Sequence, residues 1–275
     1  MEILGDSLTE IAAEKAGIIK AGVPIITGAT QPEVLAVIEQ TVKDKKATLY
    51  ALGKQFTYEP VSKELDHQSL NFQGPFRQLK EVPVSLNGEH QLTNASVAIM
   101  TLEVLRQYYA LMVEDEDLFK GLSETRWPGR LEMISQQPRI LLDGAHNPEG
   151  AQTLAAALKN VYSYKKLHLM MGMLSTKNHT GYLRHILPLV DTLIFTEPDF
   201  HKKGNAGQLA ELAQQLMQEM GLQIEVLIEP NWKQALESLT SRTEQDDLAV
   251  VSGTLYLISD VRSWITNQTD SEKGW

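Results

Sequence analysis

Apolar residues recur at two different rhythms along this chain, and the change of rhythm divides it. Near the start, Ser7-Leu8-Thr9-Glu10 has the form in which a Ser side chain and a Glu three residues later cap each other's backbone N–H groups. It predicts a helix over residues 8–16, with Gly17 as its stop. Residues 24–28 read as a short buried strand. Val34, Leu35, Val37 and Ile38 fall at helical spacing and predict an amphipathic helix over 32–42. Strand-like stretches follow at 48–52, 56–61, 68–73 and 79–86, with a turn signal at Asn87-Gly88. Residues 93–109 carry Ala, Leu, Val and Met on one face and predict a long helix. A shorter one is expected over 113–121.

The run Arg126-Trp127-Pro128-Gly129-Arg130 breaks the pattern, and a domain boundary is expected there, with residues 1–125 before it and 126–275 after it. Beyond the break, apolar strands at 139–143, 167–172, 192–196, 224–228 and 248–252 alternate with helical stretches at 148–161, 182–189, 206–220, 232–239 and 255–266. That alternation predicts a parallel, doubly wound α/β sheet. Residues 267–275 read as a frayed tail. No internal repeat interrupts the chain.

Composition narrows the functions available. The 275 residues have a net charge of −10 and no run of five basic residues, which argues against a nucleic-acid partner. Cysteine is absent, so disulfides, thiolate metal sites and a Cys nucleophile are excluded. A reducing cytoplasm suits such a chain. No signal-peptide pattern and no apolar run of roughly 18 residues occurs, so no membrane association is expected.

Candidate chemistry gathers at strand ends and helix starts. In Leu142-Asp143-Gly144-Ala145-His146-Asn147-Pro148 an apolar strand ends at Asp143, and Asn147 and Pro148 suit the start of a helix. Ligands of open α/β sheets bind at such strand ends, so Asp143 and His146 are candidate ligand contacts. Asp143 and Asn147 as turn caps are an equally open reading. Arg130, beside Pro128-Gly129, carries a guanidinium suited to phosphate, or is a surface Arg in a linker. Lys15 falls in the last turn of the first helix, where the helix dipole favours a cation. Asn94 could read an adenine edge or cap its helix. Ser252 and Thr254 follow the last strand and could bind a carboxylate or cap a helix. No G-x-x-x-x-G-K-[ST], G-x-G-x-x-G or G-x-S-x-G stretch is present.

In their order, these segments resemble the folylpolyglutamate synthase/dihydrofolate synthase family, a branch of the Mur ligases. Leu4-Gly5-Asp6-Ser7 with Ile11-Ala12-Ala13-Glu14-Lys15-Ala16-Gly17-Ile18 is similar to the family's "LGxTxxxIAxEKAGI". Gly88-Glu89-His90-Gln91 with Asn94-Ala95 is similar to "GxHQxxNA". Residues 127–132 and 142–148 match "WPGRLE" and "LDGAHNP", and residues 252–257 resemble "TGSLYL". The resemblance implies the remainder of a Mur ligase-type ATPase domain followed by a Rossmann-like small domain with a mostly parallel sheet. It implies ATP and Mg2+ as cofactors, with L-glutamate added to a folate or dihydropteroate carboxylate through an acyl phosphate. By the same resemblance, Lys15 would be an N-carbamate serving a second Mg2+ site, a catalytic and metal role. Asn94 would contact adenine, Arg130 the ATP phosphates and Asp143 the ribose. His146 would lie where ATP meets glutamate, so that Asp143 and His146 are also expected to be catalytic. Thr254 and Ser252 would lie near the glutamate carboxylate. The family's "DKD" and "PRA" segments are replaced by Thr176-Lys177-Asn178 and the stretch around His201-Lys202-Lys203.

The family's phosphate loop, a Mg2+-binding Glu and a His fall upstream of Met1. These residues alone are therefore expected to be an incomplete, inactive part of a monomeric enzyme, with an exposed sheet edge that favours self-association. Two other readings stay open: a non-catalytic nucleotide- or folate-binding module that complements another half, and a ligase of cell-wall precursors.

Overall fold

The computed structural model describes residues 7–266. Residues 4–6 of the first motif and the tail 267–275 lie outside the described residues. The chain divides into two compact units, Met1–Arg126 and Trp127–Trp275.

The first unit opens with α1 (Leu8–Ala16), which begins in the capping box its sequence predicts: Glu10 N–H donates to Ser7 Oγ at 3.2 Å, and Ser7 N–H donates to Glu10 Oε2 at 3.0 Å. Strand β1 (Ile25–Thr27), helix α2 (Pro32–Asp44) and strand β2 (Leu49–Ala51) follow, with β1 and β2 paired in parallel. Strands β3 (Thr57–Glu64), β4 (His67–Gln73) and β5 (Gln78–Val84) form an antiparallel sheet. Helix α3 (Glu89–Tyr109) buries Leu92, Ile99 and Met100 in one core with Phe56, Leu70, Phe72 and Val82. It begins four residues before the predicted start, because Gly88 at φ 95° turns the chain directly into it while polar Glu89 and His90 hide the periodic signal. Helix α4 (Asp115–Glu124) is tied to β5 and α3 by Arg77, which pairs with buried Glu103 at 2.8 Å and with Asp115.

The second unit is a six-stranded sheet. Its elements are β6 (Glu132–Gln136), β7 (Arg139–Leu142), α5 (Pro148–Asn160), β8 (Leu167–Met171), α6 (His179–Ile186), β9 (Thr192–Glu197), α7 (Ala206–Met220), β10 (Glu225–Asn231), α8 (Trp232–Arg242), β11 (Leu248–Ser252) and α9 (Leu255–Ile265). The strand order is β10-β9-β8-β11-β7-β6, parallel throughout except for β6, which pairs antiparallel with β7. Strand β6 is absent from the sequence expectation because Glu132-Met133-Ile134-Ser135-Gln136 is a short, mixed, half-exposed edge with no apolar run. The predicted helix at 182–189 is shifted: α6 starts earlier, where Asn178 accepts Gly181 N–H at 2.9 Å. It ends in a single 3-10 turn over Leu187–Leu189, where Pro188 has no N–H to continue the ladder.

Both faces of this sheet are covered. Leu141, Leu169 and Val250 point into a core with α5, α6 and α7, while Ile140, Leu142, Ala249 and Val251 point into a second core with α8 and α9. This is why the central strands read as unbroken apolar runs rather than alternating ones. The helices that follow neighbouring β7 and β11 leave on opposite faces. The carboxyl ends of these two strands therefore flank a topological switch point, the place where open α/β sheets bind ligands.

Candidate active site at the sheet's carboxyl edge

Asp143 is the first residue beyond β7 and is only 8% exposed. Its two carboxylate oxygens are spent on the backbone: Ala145 N–H donates to Oδ1 at 2.9 Å and Leu131 N–H donates to Oδ2 at 3.1 Å. Burial pushes its carboxyl up to about 6, against the opposing pull of these two N–H donors and of the Arg130 charge. The turn-capping reading of Asp143 therefore describes its geometry. A ribose contact would have to use the remaining lone pairs of an almost fully covered group.

The Trp127-Pro128-Gly129-Arg130-Leu131 turn is braced from several sides. Gly129 has φ 71° and Leu131 has φ 48°, a left-handed conformation rare for Leu that the Asp143 bond holds in place. Gly129 N–H donates to Glu132 Oε2 at 2.8 Å, and Arg262 Nε donates to the same carboxylate at 3.0 Å. Gly144 N–H donates to Gly129 O at 2.7 Å. A Cβ on Gly144 would meet Arg130 Nη1 at 2.8 Å, so the missing side chain at 144 is what lets the guanidinium lie over this loop. Trp127, 57% exposed, is a surface ring.

His146, half-buried, places Nδ1 2.9 Å from Gly144 O. A carbonyl only accepts, so Nδ1 carries the proton and Nε2 of the neutral ring is left as an acceptor. Asn147 caps α5 by accepting Gly150 N–H at 2.8 Å, with Pro148 at the first helical position.

Across the switch point, the two residues assigned together after β11 part company. Thr254 is the N-cap of α9, its hydroxyl 3.4 Å from Tyr256 N–H. Ser252 is fully buried, and its hydroxyl accepts from Tyr182 at 2.8 Å and reaches Ala145 O at 3.3 Å. The Ser252 hydroxyl is thus engaged within the protein, between Tyr182 and Ala145. The substituted segments are also locally committed. Asn178 caps α6, Lys203 pairs with Glu197 at 2.9 Å, and Phe200 stacks on Tyr256 at 3.9 Å. Burial works against ionisation of Glu197, but the Lys203 ammonium and the Ala206 N–H outweigh it and hold the carboxyl below its ordinary range.

In the first unit, Lys15 is exposed in the last turn of α1. Asn94 lies in the second turn of α3 and not at its start, so it is not a cap; its Nδ2 donates to Gln91 Oε1 at 2.9 Å. Among the described residues no group of three or more His, Asp or Glu side chains could hold a metal ion. Mg2+ takes oxygen ligands, which the Lys15 amine does not offer and a carbamate on it would. Among the described residues no helix is long and apolar enough to cross a membrane.

Residues 129–255, the stretch that builds this edge, match the family described as the Mur ligase, glutamate ligase domain. Over most of its length the second unit is similar to that domain. The whole chain is 29% identical over 266 residues to the dihydrofolate synthase/folylpolyglutamate synthase of Bacillus subtilis, covering 95% of this chain and 59% of that protein. It is 30% identical to the dihydrofolate synthetase of Saccharomyces cerevisiae, covering 94% and 61%. Among solved structures, the folylpolyglutamate synthase of Thermotoga maritima superposes with a TM-score of 0.77 at 28% identity, covering 98% of this chain and 60% of that one. E. coli FolC in complex with DHPP and ADP superposes at 0.84 with 24% identity, over 97% and 59%, and shares the fold. The chain thus spans about six tenths of the length of these relatives.

Two residues that brace this edge, Glu132 and Tyr182, are not among the candidates that the sequence offers. Glu132 was visible only as the end of a motif. Tyr182 carries no local signal, because its partner lies 70 residues away.

Proposed function

We propose that this chain supplies the glutamate-ligase part of an ATP-dependent enzyme that joins L-glutamate to a folate or dihydropteroate carboxylate. The reading is carried by the Asp143-braced turn, where Arg130 and His146 each lie against Gly144 at the switch point of a sheet similar to the Mur ligase glutamate ligase domain. The names of the relatives support the substrate class.

ATP would supply the phosphoryl group: a substrate carboxylate oxygen attacks the γ-phosphorus, ADP leaves, and the glutamate amine displaces phosphate from the carbonyl carbon. The chain's own residues position and neutralise. Arg130 offers a planar cation to phosphate oxygens. Asp143 keeps the turn from relaxing. His146 Nε2, left as an acceptor, suits a proton of the incoming amine. Asn94 as an adenine contact, Asp143 as a ribose contact and Thr254 near the glutamate carboxylate belong to the same proposal.

The 275 residues contain no G-x-x-x-x-G-K-[ST] stretch. We propose that turnover needs a phosphate-holding element from outside them. The test is ADP release with MgATP, glutamate and either dihydropteroate or tetrahydrofolate, comparing this chain with a version extended upstream through a phosphate loop. Glutamate-dependent turnover by the extended version alone is expected. Turnover by the 275 residues alone overturns the need for the external element, and no glutamate dependence in either overturns the ligase reading.

A further inference from the structure

Tyr182 is a buried hydroxyl that the reaction outlined above does not use. It lies in α6 with no exposed surface, inside the apolar core shared by α5, α6 and α7. A Phe would fill the same volume without burying an O–H, which must be hydrogen-bonded there to be tolerated. Its hydroxyl donates to Ser252 Oγ at 2.8 Å. With that lone pair taken, the Ser252 proton is directed to Ala145 O at 3.3 Å, and Gly253 N–H donates to the same carbonyl at 3.0 Å. Gly253 has φ 106°, and a Cβ there would lie 2.6 Å from Gly172 O, so the backbone of this loop sits directly against the end of β8. Helix α6 is itself seated tightly: a Cβ on Gly181 would meet Pro148 Cγ at 2.6 Å, at the start of α5.

We infer that Tyr182 is a positioning residue which, through Ser252, locks the Ala145 carbonyl and so sets the loop bearing His146 and the loop bearing Thr254 in one register. The relay joins the ends of β7 and β11 from a third element, α6. The Tyr182 hydroxyl thereby reinforces, through Ser252, the tie between the two loops that Gly253 N–H makes to the Ala145 carbonyl. Its consequence for the reaction rests on the ligase reading above; the coupling itself rests on geometry alone. Burial raises the Tyr182 phenol well above its ordinary value, which keeps it a neutral donor.

The test begins with amide hydrogen exchange in the 275-residue chain and its Tyr182→Phe variant. Exchange of Gly253 N–H is expected to rise about tenfold, equivalent to one net hydrogen bond. Amides of Leu169 and Met170 in β8 are expected to stay within about twofold. In a Ser252→Ala background, Tyr182→Phe is expected to add nothing further at Gly253, because the relay is already cut. Unchanged exchange at Gly253, an equal rise in β8, or additive effects of the two substitutions each overturn the coupling. If Tyr182→Phe does not fold, Ser252→Ala carries the same comparison: a rise at Gly253 with β8 unchanged supports the coupling, and no rise or an equal rise in β8 overturns it. In the extended version that turns over, Tyr182→Phe is expected to lower kcat about tenfold with KM for ATP within about twofold. Unchanged kcat with a freed Gly253 removes the role in the reaction and leaves the coupling standing. Absence of any turnover in the unsubstituted extended version counts against the ligase reading and not against the relay.

Discussion

Replacing Asp143 by Asn keeps the side chain's shape and removes its buried charge, and the structure sets both the size and the sign of the effect. The carboxyl is 8% exposed and pushed from 3.8 up to about 6, chiefly by burial. A carboxyl whose folded value is raised stabilises the fold fully below its unfolded value, and that contribution is lost as pH rises through about 6. A shift of about two units corresponds to roughly 3 kcal/mol in all, of which about 2 kcal/mol falls between pH 4.5 and 7.5. Asn does not titrate. Its amide also sets an N–H against one of the two N–H groups of Leu131 and Ala145 that now share the carboxylate, at a pH-independent cost of roughly 1–3 kcal/mol. The stability of the original chain relative to Asp143→Asn is therefore expected to fall by about 2 kcal/mol from pH 4.5 to 7.5. Urea unfolding followed by tryptophan fluorescence measures this in the right place, because Trp127, Trp232 and Trp264 belong to the second unit and residues 1–126 contain no Trp. A gap that stays constant within about 0.5 kcal/mol shows that Asp143 does not titrate in this window. A gap that widens as pH rises shows that the N–H donors and Arg130 outweigh burial, and the argument from burial is then wrong.

Two further substitutions test the loops around it. Gly253→Ala places a Cβ 2.6 Å from Gly172 O at φ 106° and is expected to cost about 3 kcal/mol or more, read as a lower urea midpoint at unchanged slope. Asn147→Ala removes the acceptor of Gly150 N–H and is expected to cost about 1 kcal/mol at any pH between 5 and 8, measured the same way; a loss under roughly 0.3 kcal/mol means that water replaces the cap.

Local chemistry was read well wherever partners are close in sequence. Ser7 and Glu10 cap each other three residues apart, and Asn147 caps Gly150 at the same separation. The four central strands of the second unit, β7, β8, β9 and β11, read as apolar runs because both sheet faces are covered there. Strand β6 did not, since its pairing with β7 and not its composition makes it a strand. The start of α3 is hidden by Glu89 and His90, polar residues in the first turn of the helix that Gly88 lets the chain enter.

The candidate site divides along the same line. The sequence by itself determined which residues stand at the ends of strands and the starts of helices, because periodicity and capping are matters of a few neighbours. Asp143, His146 and Thr254 were found in that way, and Arg130 was singled out by the Pro128-Gly129 beside it. Only the tertiary structure decided what those groups touch. It turned the Asp143 carboxylate inward to Leu131 and Ala145, consumed the Ser252 hydroxyl between Tyr182 and Ala145, and laid the Arg130 guanidinium over Gly144. Several of those partnerships link residues from 12 to 107 positions apart, across strands whose order in the sheet differs from their order in the chain. A hydrogen bond depends on distance and direction in space, and for such pairs both are set by the packing of the sheet and its helices.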